Sequence, residues 1–263
     1  MPGAVKNILI LVISIGFASC GDDGINLFTV EDDLALGAQL REQILEDSSF
    51  VILDRSQYIT SYQYLEEVVQ EILNSGQVEH KDEFAWEVHL VHDDSTLNAF
   101  AAPGGFIFVY TGLIKFLDTK DDFVGVMGHE MAHADRRHST QQLTQRYGIG
   151  LLLSVLSGGD PSTLVQILGS LVSLKFSRSD ESEADRYSVI YLCETPYAAN
   201  GAASFFEKLT AQGTVSPPAF LSTHPNPDDR VQAINEIAED RGCDTAFNSN
   251  AGEWNGFKNS LPN

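Results

Sequence analysis

Apolar residues recur at intervals of three and four positions along most of the chain, which is the spacing of amphipathic helices. The segments with this spacing are residues 29–46, 58–73, 197–211 and 227–239. The last of them opens with Asn226 in the capping position and Pro227 at the first helical position. The pattern therefore predicts a protein built mainly of helices.

In two shorter stretches the spacing of the apolar residues is typical of strands. Residues 84–91 alternate between apolar and polar positions and predict a half-buried strand. Two β-rich runs, 97–102 and 106–110, flank Pro103-Gly104-Gly105, which predicts a hairpin. Because proline cannot donate a ladder hydrogen bond, Pro103 favours an edge position for the first run. We therefore expect an α+β fold with a small antiparallel sheet.

Residues 147–176 are strongly apolar but are interrupted at residues 157–161 by Ser-Gly-Gly-Asp-Pro. Neither part reaches the roughly 20 residues that a membrane-spanning helix needs. We interpret the region as two packed or partly exposed helices. Contact with a membrane is the alternative.

The amino-terminal segment has the pattern of a secretory signal. Lys6 precedes the apolar residues 8–17, and small residues then lead to Cys20. The segment resembles a bacterial lipoprotein signal, with cleavage before Cys20 and acylation of its sulfur, although Phe17 departs from the usual leucine. An ordinary cleaved signal or an uncleaved anchor are the alternatives. Of the other two cysteines, Cys193 and Cys243, the sequence allows either a disulfide or two free thiols.

Charge restricts the partners. The chain has 263 residues, with 16 basic and 37 acidic side chains and a formal net charge of −21. Nucleic acid is excluded as a partner because phosphate binding needs clustered lysine and arginine. The acidic residues are spread along the chain, which indicates a solubilising surface.

The chemistry is concentrated in the sequence His-Glu-Met-Ala-His at residues 129–133. Thr119 and Asp122 have the spacing of a capping box, so we expect a helix from about residue 120 to beyond His138. On it, His129 and His133 share one face at a distance that suits a single Zn²⁺ ion. Glu130 lies beside the ion as a general base, the signature of zinc peptidases. The alternative is an incidental pair of surface histidines. Two glycines in this helix, Gly125 and Gly128, suggest close packing beneath it.

A catalytic zinc usually has three protein ligands. The metzincin pattern is excluded because Arg136 and Ser139 stand where glycine and histidine are required, and we expect His138 to lie off the metal face. The best source of a third ligand is the acidic run at residues 177–185. There Glu181 and Asp185 are four residues apart, so one can bind metal while the other orients a ligand histidine. A solvated acidic helix face is the alternative.

These motifs resemble the gluzincin peptidases of the HtpX and Ste24 (CAAX prenyl protease) family. The resemblance rests on His-Glu-Met-Ala-His and on Phe-Ser-Arg-x-x-Glu-x-x-Ala-Asp at residues 176–185. The segments 98–105 and 223–230 support it, and it spans residues 30 to 240. The chain is most similar to the compact envelope lipoprotein members. The resemblance implies a mainly helical, zincin-like metalloprotease domain whose edge strand borders the active site.

By resemblance, each candidate residue has a role. The metal ligands are His129, His133 and Glu181, for one Zn²⁺ per chain. Glu130 is the general base, and Asp185 orients a ligand histidine. The edge strand, which would hold an extended peptide by β-addition, contains Asn98, Ala99, Phe100 and Ala101. The same family type brings His224 near the zinc, as a fourth, blocking ligand or as a stabiliser of the oxyanion. Arg230 would anchor its loop to a carboxylate such as Asp185.

The expected function is hydrolysis of peptide bonds in misfolded or unfolded cell-envelope proteins. A chaperone or assembly factor that binds such proteins without cutting them is the alternative. The expected organisation is a lipoprotein signal at residues 1–19, a tether at 20–28, a zinc metallopeptidase domain at 29–245 and a carboxy-terminal tail at 246–263. The protein would be lipid-anchored in a bacterial envelope and would face the periplasm or the cell exterior.

Overall fold

The computed structural model describes residues 28–211, 219–225, 229–247 and 250–262. Within these ranges the chain forms twelve helices and three strands. The helices are α1 (Val30–Glu46), α2 (Ile59–Leu73), α3 (Thr111–Phe116), α4 (Lys120–Asp135), α5 (His138–Tyr147), α6 (Ile149–Leu156), α7 (Pro161–Val172), α8 (Arg178–Leu192), α9 (Gly201–Ala211), α10 (Ala219–Thr223), α11 (Arg230–Arg241) and α12 (Ala251–Asn259). The strands are β1 (Glu87–Val91), β2 (Ala99–Ala102) and β3 (Phe106–Tyr110).

The predicted helices are present, and their ends differ from expectation by a few residues. Helix α1 starts after Thr29, whose side chain forms a capping box with Asp32. Helix α9 begins at Gly201, four residues later than expected from the apolar pattern. The predicted signal 1–19, its Cys20 and the expected cap at Asn226 lie outside the described residues.

The α+β fold class is confirmed, and the hairpin with β2 at the sheet edge is confirmed with it. The strand order is β1-β3-β2. However, the sheet is mixed rather than purely antiparallel, because β1 runs parallel to β3 while β2 runs antiparallel to it. After β1 the chain first forms β2 at the opposite edge of the sheet. The hairpin then places β3 between β1 and β2.

Helices cover both faces of the sheet. Helix α1 packs on one face with α6 and α7 behind it, and α2 and α4 pack on the other. The expectation of a half-buried β1 is therefore wrong: His89 and Val91, on its second face, are 6% and 2% exposed. At the hairpin turn Gly104 has a φ of 74°, and a Cβ there would lie 2.7 Å from the backbone of α1 at Leu34.

The apolar region 147–176 forms two helices, α6 and α7, as predicted. They pack against α1 and α5, yet Leu151, Leu153 and Val165 are each more than one-third exposed. Among the helices in the described ranges, none combines the length and the apolar character needed to cross a bilayer.

The carboxy-terminal residues add a helix for which the sequence contains no clear signal. In α12, within the segment expected as a tail, Trp254 is fully buried and its ring lies 5.4 Å from that of Phe123 in α4. The indole nitrogen of Trp254 donates to the carbonyl of Leu117. The last described residues therefore pack against the helix that carries the His-Glu-x-x-His sequence.

The two alternatives for the remaining cysteines are resolved by a disulfide between Cys193 and Cys243. Cys193 follows the last residue of α8, and Cys243 lies two residues beyond α11. The bond joins the carboxy-terminal ends of two helices that contribute Glu181, Asp185 and Arg230 to one buried cluster.

We predict that replacing both cysteines by alanine lowers the free energy of unfolding by about 4 kcal/mol, because the bond closes a long loop in the unfolded chain. The cysteines are 50 residues apart in sequence. Urea denaturation of the oxidised wild type and the double variant measures the difference, and reduced wild type is the control. Equal unfolding midpoints for all three proteins would contradict the prediction.

Candidate metal centre

Helix α4 is buried along its whole length, including its polar residues. At its start Thr119 and Asp122 form the predicted capping box, and at its end Asp135 accepts hydrogen bonds from the backbone of Glu79 and His80. The helix ends at Asp135 and not beyond His138, because Arg137 adopts a left-handed conformation (φ 62°, ψ 28°) from which α5 starts. The chain turns sharply immediately after the His-Glu-x-x-His sequence.

Close packing beneath α4, expected from its glycines, is confirmed. A Cβ at Gly125 would lie 2.1 Å from the backbone nitrogen of Ala202 in α9. A Cβ at Gly128 would lie 2.9 Å from the hydroxyl of Ser188 in α8. Only glycine allows α4 to approach both helices this closely, and the contact with α8 brings the predicted acidic residues to the histidines.

Four side chains meet at the centre of the molecule: His129, His133, Glu181 and His224. Each offers one donor atom, and these atoms all lie within 4.8 Å of one another. All four side chains are fully buried. They come from α4, from α8 and from the residue that follows α10, so the group is assembled by tertiary structure.

The separations between donors suit a small tetrahedral ion. His133 Nε2 lies 3.0 Å from His129 Nε2 and 3.4 Å from Glu181 Oε1. His224 Nδ1 lies 3.0 Å from Glu181 Oε1 and 3.4 Å from His129 Nε2. Ligands about 2.0–2.1 Å from one zinc ion at tetrahedral angles are separated by about 3.3 Å. The side chains present therefore fit a zinc ion in both chemistry and spacing.

A buried ion pair holds His129 from behind. Its Nδ1 lies 2.9 Å from Asp185 Oδ1. Arg230 binds both oxygens of Asp185, from Nε at 2.6 Å and from Nη2 at 2.7 Å, and its Nη2 lies 3.0 Å from Glu181. The guanidinium also lies over the ring of Phe206, 3.6 Å from its centroid. Asp185 and Arg230 thus connect α8 and α11 directly beside two of the donors, with Arg230 Nη2 3.2 Å from Nε2 of His129.

Glu130 has a fully buried carboxyl group, and neither of its oxygens has a hydrogen-bond partner among the described residues. His224 Nε2 lies 3.5 Å from its Oε1. Burial raises the pKa of Glu130 above the ordinary value of a carboxyl group. Orphaned buried carboxylates are costly in folded proteins, so this one indicates a place for a water molecule and a cation.

Protonation of the donors also suits a metal. Burial holds the pKa of His133 well below its usual value, so its ring is neutral. Burial opposes the ionisation of Glu181, but His224 and the hydrogen bonds of His129 and His133 outweigh it and hold its pKa well below the usual range. For His129, burial and Arg230 oppose the charged form, yet Asp185 and Glu181 raise its pKa to about 9. Zinc would displace that proton on binding.

The balance of charge points in the same direction. The cluster buries three carboxyl groups, those of Glu130, Glu181 and Asp185, around one guanidinium, that of Arg230. Once zinc has displaced the proton of His129 and the carboxyl groups are ionised, two negative charges remain to be compensated. A divalent cation supplies the missing charge where water is excluded.

The predicted substrate strand lies beside this group. The backbone of Asn98 faces β3, since its carbonyl accepts from Tyr110, so Leu97, Ala99 and Ala101 face outward by alternation. Two outward groups are already paired: the carbonyl of Leu97 accepts from the backbone of Phe220, and that of Ala101 from the hydroxyl of Ser139. The backbone of Ala99 lies between these two contacts. Asn98, Ala99, Phe100 and Ala101 are each at most 4% exposed, main chain included, so this edge of the sheet is covered in the structure.

His138 lies outside the donor group, as expected, but sequence reasoning did not place it against His133. It is 2% exposed, and its Nδ1 lies 2.9 Å from Nδ1 of His133. On a continuous helix a residue five positions after His133 points well away from it, so the spacing alone misled. The left-handed conformation of Arg137, which turns the chain so that His138 faces His133, has no signal in the sequence.

A helical domain with paired histidines on one helix and an acidic donor from a second helix is the arrangement of a His-Glu-x-x-His metallopeptidase. The family model described as Peptidase family M48 matches residues 60–238. The chain belongs to Peptidase family M48.

Similar proteins include two named mitochondrial metalloendopeptidase OMA1. The one from Schizosaccharomyces pombe is 31% identical over 57% of this chain and 46% of its own length. The one from Arabidopsis thaliana is 34% identical over 56% of this chain and 30% of its own. A putative beta-barrel assembly-enhancing protease of Vibrio cholerae is 29% identical over 55% of this chain and 33% of its own length. The chain thus spans less than half the length of these relatives. The family expected from the sequence is confirmed at the level of M48, and these relatives do not single out the HtpX and Ste24 type.

We predict that Gly125→Ala lowers the free energy of unfolding by about 3 kcal/mol, because overpacking against the backbone of α9 outweighs the better helix propensity of alanine. Gly150→Ala in α6 is the matched control, since a Cβ there meets nothing within 4 Å. Urea denaturation of the two variants decides the matter. A Gly125→Ala protein as stable as Gly150→Ala would show that the contact with α9 is not close.

Proposed function

We propose that the chain is a zinc-dependent metalloendopeptidase in which His129, His133 and Glu181 hold one Zn²⁺ ion. The observation that supports this most is the fully buried group of donors with an orphaned Glu130 beside it. Asp185 and Arg230 keep the ring of His129 and the carboxylate of Glu181 in place.

In the proposed reaction, zinc held by these residues would supply the Lewis acidity that makes a water molecule acidic enough to act as a nucleophile near neutral pH. Glu130 takes the proton of that water as its oxygen attacks the peptide carbonyl, and then delivers a proton to the leaving amine. The raised pKa of Glu130 suits a group that must both accept and release a proton. No covalent bond between the enzyme and the substrate is needed.

For His224 the geometry favours the blocking role over the oxyanion role. Its Nδ1 lies within the donor group, and its ring stacks on Phe220 with centroids 4.2 Å apart. The backbone of Phe220 in turn binds the carbonyl of Leu97 beside the proposed substrate strand. We therefore propose that α10 and His224 occupy both the metal group and part of the strand edge in this arrangement. After withdrawal, His224 would be free to stabilise the oxyanion.

The substrates we propose are unfolded or extended proteins, because an extended main chain could add to the edge at Ala99 without side-chain specificity once α10 withdraws. The bacterial relatives are named for β-barrel assembly, and we infer from this a place in the cell envelope. We further propose attachment to the membrane through a lipid on Cys20, a processed signal at residues 1–19, and the compact lipoprotein type within the HtpX and Ste24 group. The acidic chain makes nucleic acid an unsuitable partner.

The alternative function is a chaperone or assembly factor on a metallopeptidase scaffold. The edge strand would suit such a binder. Unfolded casein, incubated with the pure protein with and without a chelator, separates the two: fragments that the chelator suppresses support the peptidase. Holding without fragments in both samples supports the binder.

The roles of the central residues are separable by mutation. We predict that Glu130→Gln keeps one zinc per chain and loses proteolysis by several orders of magnitude, because the base is removed and the ligands remain. We predict that His133→Ala loses both zinc and activity. Metal analysis combined with casein cleavage measures the two effects. An active Glu130→Gln protein would overturn the general-base role, and a zinc-free wild type would overturn the metal site.

A further inference from the structure

We propose that His138 is a positioning residue that holds His133 in the orientation needed to bind zinc, with Glu183 fixing His138 in turn. The inference rests on the proposed zinc site and adds to it two residues outside the donor group. It concerns the nitrogen of His133 that faces away from the donors.

Both ring nitrogens of His133 have defined surroundings. Nε2 faces His129 and Glu181 within the donor group, whereas Nδ1 lies 2.9 Å from Nδ1 of His138. An imidazole that binds metal through one nitrogen carries its proton on the other, and that proton needs an acceptor which fixes the ring. For His129 the acceptor is Asp185. For His133, the acceptor that the structure provides is a second histidine.

The direction of this hydrogen bond determines the tautomer of His138. If His133 Nδ1 donates, His138 Nδ1 must accept and its proton must sit on Nε2. His138 Nε2 faces Glu183 Oε2 at 3.4 Å, and the other oxygen of Glu183 accepts from Arg136 Nε at 2.9 Å. Arg136 continues to Glu79 at 2.6 Å. A chain of oriented side chains therefore runs from the metal group to the half-exposed Glu183.

The backbone is shaped to place His138 there. The left-handed Arg137 ends α4 and turns the chain so that the ring of His138 lies 5.0 Å from that of His133. The guanidinium of Arg137 holds this turn by donating to the carbonyls of Phe28 and Thr29 and by pairing with Asp33. Phe176 stacks on His133 from another direction, with centroids 4.0 Å apart.

Packing alone is the competing explanation for a buried histidine, and it makes a different prediction. A flat apolar ring would fill the same space as His138 but would not accept a hydrogen bond. His138→Phe therefore keeps the packing and removes the acceptor, whereas His138→Asn offers an oxygen acceptor on a smaller side chain. The two variants separate the roles of shape and hydrogen bonding.

The test is the zinc affinity of the full chain, measured by competition with a chromophoric chelator. We expect His138→Phe to bind zinc about 10- to 100-fold more weakly than wild type, the usual effect of losing a partner behind a ligand. We expect His138→Asn to recover most of that affinity. Wild-type affinity in His138→Phe, or an asparagine variant as weak as the phenylalanine one, would overturn the proposal.

A second His-Glu-Arg group in the same chain provides matched controls. His89 is buried, pairs with Glu87 at 3.0 Å, and Glu87 binds Arg41 at 2.7 Å, all far in sequence from the donors. We expect His89→Phe to leave zinc affinity unchanged. The side chains of Glu183 and Glu87 are 30% and 31% exposed, so Glu183→Leu and Glu87→Leu are comparable in their cost to folding.

The leucine pair keeps the proposal testable if His138→Phe does not fold. Glu183→Leu must then weaken zinc binding several-fold relative to Glu87→Leu, and equal affinity would overturn the proposal. A wild type that binds no zinc would refute the metal site itself. Tight binding by wild type and by His138→Phe alike would refute only the role of His138.

Discussion

Ionised side chains are costly to bury unless opposite charge or hydrogen bonds replace the water that they lose. In this chain three carboxyl groups, one guanidinium and three imidazoles are buried together around α4. Arg230 and the proton on His129 balance much of the negative charge, and a cation between the histidines and Glu181 would take the place of that proton. The surrounding structure can be understood as the means of holding these groups close enough for one ion to satisfy them.

Contacts among α4, α8, α9 and α11 meet that requirement. Gly125 and Gly128 let α4 lie against α9 and α8, which brings Glu181 to the histidines. Two contacts join α8 to α11: the ion pair of Asp185 with Arg230, and the disulfide between Cys193 and Cys243 near the carboxy-terminal ends of the two helices. His138 supports the second histidine from the far side, at the point where α4 ends. Asp185, Arg230 and His138 thus belong to packed helices, which hold a site more precisely than loops do.

Much of this was accessible from sequence because the signals are local. Capping boxes, helical periodicity and the Pro-Gly-Gly turn identify most elements, and the spacing of His129, Glu130 and His133 identifies the chemistry. Features that depend on distant segments were missed or misjudged. The parallel pairing of β1 with β3, the burial of both sheet faces and the docking of Trp254 follow from tertiary packing. The left-handed Arg137 has no compositional signal, so His138 could not be placed behind His133.

The central claim is that Glu181 completes a three-residue grip with His129 and His133 on one zinc ion. Crystals of the purified full chain, with diffraction data collected on both sides of the zinc absorption edge, would test it most directly. The account predicts one anomalous peak per chain, within bonding distance of Nε2 of both histidines and of an oxygen of Glu181. A peak bound elsewhere, or bound by the histidines with Glu181 turned away, would contradict it.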